Sequence, residues 1–465
     1  MTLTDYIKNA WAGDTLLALQ AFIKIPAKST AFDPQWKAHG YLLDALEQAK
    51  AWGQKHFPEA EFSIHEMDNL TPVLYVDIPA TSQESTRPVF FYGHFDKQPE
   101  TPYPEWDPWN PVVKDGQLFG RGSVDDGYSF YTTLTAVKAL DQAGIERPRV
   151  TGLFETNEES GGDDIVSYIK AFKEKIGNPS FLGIIDLGAN DFNHVWLTQS
   201  LRGAMSLTLK VKVLNRAVHS GMASGLIPDS FRILRLLLNH IEDPETGRII
   251  LPELHGDIPD VYLQEMKKQA NNIKDLIAPY QWCDAMEPST QDPLEAIKRN
   301  TWEPTLTVVG AQGLPSLENA SALIRSETDL RLSLRLAPNA SCEKAFKALE
   351  KVLTTNVPYQ AHVEISHVEW AEGFMAPILS GSVKNAIESA AQSSFNTSVE
   401  SIFCGATIGA LHHFQEVFPE SYFLNTGALA ATSNAHAPFE HLSLTYVEKL
   451  TLFLANVIAN LGKKA

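Results

Sequence analysis

Cysteine is scarce in this chain: 465 residues contain three, Cys283, Cys342 and Cys404. They lie far apart, form no CxxC pair and leave one unpaired in any disulfide scheme. That excludes a zinc ribbon and fits a reducing cytoplasm. Long apolar runs are lacking as well, and no stretch approaches the roughly 18 residues needed to span a bilayer. The opening MTLTDYIKNAWAGDTLLALQAFIKIP has no basic segment followed by an unbroken apolar one. Its Leu16, Leu17, Leu19, Phe22 and Ile23 recur at helical spacing instead. Positive charge is in deficit, with a formal net charge of −18 at pH 7, so nucleic acid and anionic membranes are excluded as partners by repulsion. A small anionic substrate is not excluded, because a few arginines or a metal reverse the field inside a cleft.

What is present is ordinary for a soluble globular protein, with 44% apolar and 20% charged residues. The expected location is the cytoplasm. The length exceeds what one hydrophobic core organises, so two or three domains are expected.

The first part alternates strand and helix, the pattern of an α/β domain with a mostly parallel sheet sandwiched by helices. Pro88 to Tyr92, Arg149 to Phe154 and Phe181 to Asp186 read as buried strands; Asp125 to Leu140 and Gly162 to Phe172 read as helices. After Leu201 the texture changes. Leu207, Leu209, Val211 and Val213 alternate with polar residues, and so do Leu330, Leu332, Leu334 and Leu336, the period of strands with one face in water. Helices over Asp229 to Ile241 and Cys342 to Leu353, and a strand over His362 to Val368, complete an α+β ferredoxin-like satellite with helices on one face. Asp243 to Pro304 reads as an irregular helical insertion. A helix over Gly381 to Ala391 and a strand over Ser421 to Asn425 return to α/β texture. The expected layout is a discontinuous α/β domain, residues 1–201 and 376–465, interrupted by a satellite over residues 202–375.

Residues able to do chemistry stand where strands end, the place where open α/β sheets bind ligands. His94 and Asp96 form an HxD pair after PVFFYG. There, one imidazole nitrogen can take a metal while a carboxylate accepts the other N–H. Asp125 and Asp126 follow GRGSV. A lone aspartate there would cap a helix, but Gly120, Gly122 and Gly127 indicate a backbone path that aims a carboxylate at something specific. Glu158 and Glu159 leave the strand RVTGLFET, Asp186 ends FLGIID, and His436 lies in SNAHAPFEHL, where Pro438 restrains the loop. Singly these read as caps, a solvated turn and a surface histidine. Together they offer two imidazoles and three carboxylates, a donor set suited to Zn²⁺, with Co²⁺ or Mn²⁺ able to substitute. A bridging carboxylate can hold two such ions about 3.5–4 Å apart around one water, whose proton an unligated glutamate then takes.

The order HxD, GRGxxDD, NEES, a strand-terminal aspartate and a distant AHAP resembles the aminoacylase, carnosine dipeptidase and glutamate carboxypeptidase family of co-catalytic zinc peptidases. The resemblance spans nearly the whole chain. It implies two Zn²⁺ per chain, one held by His94 and Asp186 and the other by Glu159 and His436, with Asp125 bridging them. It implies Asp96 as the residue orienting His94, Glu158 as general acid/base, and a cis peptide bond between Asp125 and Asp126. His219 in AVHSG resembles the satellite histidine that polarises the scissile carbonyl, in many members across a dimer. Arg335 in LSLRLAP resembles the arginine that grips a substrate carboxylate, and Thr407 a substrate-contacting hydroxyl.

Two departures concern the pocket rather than the metals. The family's DDKG is DDGY here, with Gly127 in place of lysine. The segment Cys404 to Gly409 occupies a loop that commonly begins with glutamate. The function implied is hydrolysis of dipeptides or short peptides in a homodimer paired through the satellite, whose long insertion favours the dipeptidase branch. Deacylation of N-acyl amino acids and carboxypeptidase-like release are the alternatives within enzymes. A non-catalytic metal-binding protein is the alternative outside them, opposed by the presence of Glu158 and every ligand.

Overall fold

The computed structural model describes residues 1–81, 87–161, 163–278 and 280–461. The chain divides into two compact units: residues 1–198, 376–402 and 413–465 form the first, and residues 199–375 with 403–412 the second. Residues 403–412 thus group with the satellite, although the chain on both sides of them belongs to the first unit.

The first unit is built on strands β1 (Glu61–His65), β2 (Val73–Ile78), β3 (Val89–His94), β4 (Val150–Glu155), β5 (Phe181–Ile184) and β6 (Tyr422–Asn425), in the order β1-β2-β4-β3-β5-β6. Pairings β4–β3, β3–β5 and β5–β6 are parallel, while β1–β2 and β2–β4 are antiparallel. The sheet is therefore mostly parallel, with an antiparallel edge. Strand β3 shows why its sequence is apolar without alternation. Val89 and Phe91 enter the main core with Phe130 and Leu134, while Phe90 and Tyr92 face Phe414 on the opposite side, at ring distances of 5.5 and 5.0 Å. A strand covered on both faces has no wet side to mark.

Helix limits differ from the sequence expectation where chemistry intervenes. The helix expected from Asp125 begins at Tyr128 and runs to Ala143, and its N-cap residue, Gly127, makes no side-chain cap. The acidic pair lies before the helix, and its peptide bond is cis. Gly127 occupies a place with no room for a side chain, since a Cβ there would lie 2.1 Å from the Phe22 ring. This accounts for glycine where the related motif has lysine. The helix expected from Gly162 runs over Asp163–Ile176, Gly162 itself being outside the described residues. Strand β5 stops at Ile184, two residues short of Asp186, which instead bridges Gly427.

The second unit holds four antiparallel strands in the order Thr305–Gln312, Glu327–Leu336, Gly203–Lys212, His362–Ala371. With helix Ser230–Leu238 after the first strand in sequence and helix Cys342–Thr354 before the last, this is the β-α-β-β-α-β ferredoxin-like arrangement. Met205, Leu207, Leu209 and Val211 pack with Leu330, Leu332, Leu334 and Leu336 against Ile233, Leu237, Leu349 and Leu353. The intervening residues form the half-exposed face. The insertion contains short helices at Asp260–Gln269, Ile273–Ile277 and Pro293–Thr301. The three cysteines are free, and no helix among the described residues is long and apolar enough to cross a membrane.

Candidate metal centre

Five side chains converge at the C-terminal ends of the parallel strands of the first unit. His94 is the last residue of β3 and pairs in register with Glu155, the last of β4. The chain leaving β4 then turns through a short 3₁₀ segment, Glu158–Ser160. Asp186 follows β5. His436 lies in the loop after β6, where Asn434, His436 and Phe439 all have left-handed φ angles of 54°, 63° and 62°. Such angles are costly outside glycine and persist where surrounding structure dictates them, commonly at functional sites.

The five form two sets sharing one carboxylate. Ligand atoms of His94, Asp125 and Asp186 all lie within 4.8 Å of one another, and so do those of Asp125, Glu159 and His436. His94 Nε2 is 3.2 Å from Asp125 Oδ1 and 3.5 Å from Asp186 Oδ2. His436 Nε2 is 2.8 Å from Asp125 Oδ2 and 3.3 Å from Glu159 Oε2. Both oxygens of Asp125 are thus engaged, one toward each set.

Two observations fit these sets to cations. His94 Nε2 and Glu159 Oε1 are buried without a hydrogen-bond partner, a costly condition that a metal would relieve. The carboxylates also crowd one another. Burial pushes Glu158 up to about 8, with Asp186 and Asp125 adding to the rise and His94 opposing it. Burial and Asp125 push Glu159 up to about 10, and burial lifts Asp186 to about 6. Asp125 goes the other way: burial would raise it, but the close imidazoles of His436 and His94 hold it well below the usual carboxylate range. So much buried acid needs positive charge, and Asp, Glu and His are donors suited to borderline divalent ions.

Asp96 plays a broader part than orienting His94. His94 Nδ1 hydrogen-bonds the Asp96 backbone oxygen at 3.0 Å, with the carboxylate at 3.4 Å. The carboxylate accepts from the backbone N–H groups of Glu158 and Glu159 at 3.2 and 3.0 Å. It therefore fixes the turn that carries Glu158 and Glu159. Asp126 accepts from His94 N–H at 3.2 Å and from Ser129 at 2.6 Å.

Sequence reasoning missed several supporting groups. Gln98 donates to Glu159 Oε2 at 2.6 Å. Ser160 is tied to Ser29 at 2.6 Å and accepts from Ala31 N–H at 2.9 Å. Buried Arg121 pairs with buried Glu440 at 2.6 Å, and Glu440 also accepts from the N–H groups of Gly122 and Val124. That pair joins the segment bearing Asp125 to the loop bearing His436. Glu440 stood in the quoted AHAPFEHL, four residues after His436; only its missing partner hid its role.

The second unit carries the remaining candidates. His219 Nδ1 accepts from Gly221 N–H at 3.1 Å, so in the neutral ring the proton sits on Nε2, which is left as a donor. Arg335 Nη1 donates to Thr407 Oγ1 at 2.6 Å, and Thr407 in turn donates to the Arg202 carbonyl at 2.5 Å.

A helix-flanked α/β sheet with paired imidazole–carboxylate sets at its strand exits is the framework of a metallohydrolase. The sequence profile of Peptidase family M20/M25/M40 matches residues 90–460, and the chain belongs to that family. It is a hydrolase of peptide bonds, in a family of dinuclear metal-binding peptidases. The cysteinylglycine-S-conjugate dipeptidase of Corynebacterium striatum is 22% identical over 428 residues, covering 90% of this chain and 91% of that one. The Beta-Ala-His dipeptidase of Rattus norvegicus is 25% identical over 384 residues, 79% of this chain and 76% of the other. The crystal structure of human carnosine dipeptidase 1 shares the fold, with a TM-score of 0.74 at 20% identity over 99% of this chain and 98% of that one.

Proposed function

We propose that this protein hydrolyses dipeptides and short peptides, with His94 and Asp186 holding one Zn²⁺, Glu159 and His436 a second, and Asp125 shared between them. The observation that carries this is the pair of ligand sets meeting at Asp125, with Glu158 beside them on a turn fixed by Asp96. Divalent cations bound there supply Lewis acidity to the scissile carbonyl and lower the pKa of the attacking water. Glu158 would take a proton from the attacking water and return it to the leaving nitrogen.

His219 donates from Nε2 to the oxygen on which charge develops, in its own subunit or in a partner's. Arg335, with Thr407 beside it, takes the free C-terminal carboxylate of the substrate. Residues 202–375 act as lid and dimerisation domain. The apolar edge strand Thr305–Gln312, with Val308 and Val309 exposed, supports pairing with a second copy. Free cysteines suit a cytoplasmic enzyme.

That the relatives are dipeptidases supports dipeptides over N-acyl amino acids as the substrates here. A panel of dipeptides and N-acetyl amino acids, given to protein loaded with zinc, cobalt or manganese, tests the choice. Dipeptides should be turned over at least tenfold faster. Faster cleavage of the N-acetyl compounds would replace this reading with deacylation, and cleavage of neither would end it.

A further inference from the structure

The surroundings of Arg335 narrow the substrate class. In the sheet register Thr305 lies opposite Arg335, and Arg202 Nη1 approaches Thr305 Oγ1 at 3.5 Å. Arg202 therefore stands beside Arg335 on the same face. Burial, and after it the neighbouring charge of Arg335, pull the Arg202 pKa down to about 10.

Among the described residues neither arginine has an acidic partner. Arg202 is buried and donates to the neutral carbonyls of Gly405 at 3.1 Å and Glu303 at 3.1 Å. Among the described residues its Nη2 has no hydrogen bond, and no carboxylate pairs with either guanidinium. Several other arginines are paired. Arg121, Arg147, Arg149, Arg299 and Arg331 each have a carboxylate oxygen within 3.2 Å. With 56 acidic residues against 38 basic ones, two adjacent unpaired arginines form a local reversal of sign. Cys404, in the loop that also supplies Gly405 and Thr407, lies within electrostatic reach of both. Burial raises its thiol, and the two guanidiniums pull against that rise. An acid at this position would neutralise the pair; a thiol does not.

We propose that Arg202 and Arg335 form a cradle for two carboxylates on one substrate residue, so that this enzyme favours dipeptides ending in aspartate or glutamate. The α-carboxylate goes to Arg335 and Thr407, the side-chain carboxylate goes to Arg202 Nη2, and Cys404 sets the preference by leaving both charges uncompensated. This rests on the peptidase reading above and adds the substrate's charge to it.

The test compares Ala-Glu with its neutral isostere Ala-Gln, and Ala-Asp with Ala-Asn, on metal-loaded wild type, Cys404→Glu and Cys404→Ser. One extra charge-assisted contact predicts kcat/KM about tenfold higher for the acidic member, carried by KM. Cys404→Glu should bring the ratio near one by weakening the acidic substrate, while Cys404→Ser keeps it. A wild-type ratio of one or less, with Ala-Gln cleaved, overturns the cradle and leaves the peptidase reading intact. Cleavage of no dipeptide overturns both. A tenfold ratio that survives in folded Cys404→Glu also overturns it, and if that variant fails to fold the wild-type ratio decides.

Discussion

The candidate metal ligands of the first unit and the candidate substrate contacts of the second are held in different ways. Each ligand leaves the end of a buried strand or a loop locked by buried acid: Asp96 holds the Glu158–Glu159 turn, and Arg121–Glu440 ties the Asp125 segment to the His436 loop. Arg335 sits on the half-exposed sheet, His219 on a separate two-stranded ribbon and Thr407 in the segment after strand Val399–Cys404, each held by one or two hydrogen bonds. Rigid placement suits a reacting centre, where small displacements cost much rate. A half-exposed platform with few constraints suits recognition, which can change by altering one side chain.

If that division holds, substitutions in the first unit act on kcat and those in the second mainly on KM. The largest effect is expected from stripping metal with a chelator: activity falls to background and returns with zinc, cobalt or manganese. Ions bound at about a hundredfold over their Kd stabilise the fold by about 2.7 kcal/mol each, so calorimetry should show a lower melting temperature for the stripped protein. Next is Glu158→Gln, with kcat down about 10²–10⁴-fold and KM little changed, measured on the best dipeptide. His219→Ala sharpens the comparison, because it tests the one residue of the second unit assigned to charge developing in the reaction. Its kcat should fall about 10²–10³-fold. If mixing it with Glu158→Gln protein restores activity, the histidine works across subunits; a monomer that is fully active confines it to its own chain. The smallest effect is expected for Arg335→Met, raising KM about 10–100-fold at nearly constant kcat. A fall in kcat alone there would break the division.

The same contrast governs what could be read from the sequence. Strands β3, β4 and β5 were legible as short runs without polar alternation because both faces are covered, and the satellite as alternation because one face is wet. Of the candidate ligands, His94, Glu159 and Asp186 stood out because they come at or soon after the ends of those strands. The start of the helix at Tyr128 was not, since the sequence does not mark that the acidic pair and Gly127 stand before its first turn. Gln98, Ser160 and Glu440 were missed because each acts through a partner far away in the chain: Glu440 meets Arg121 across 319 positions. Arg202 was missed for the opposite reason. What matters there is an acid that is not present, and only neighbours in space reveal that.

The central claim is that two ions share Asp125, and metal content tests it most directly. Elemental analysis of freshly purified wild type reconstituted with zinc should give two ions per chain. Folded Asp125→Asn, having lost the carboxylate common to both sets, should retain fewer than one. Two ions per chain in Asp125→Asn, or fewer than one in the reconstituted wild type, would contradict the account.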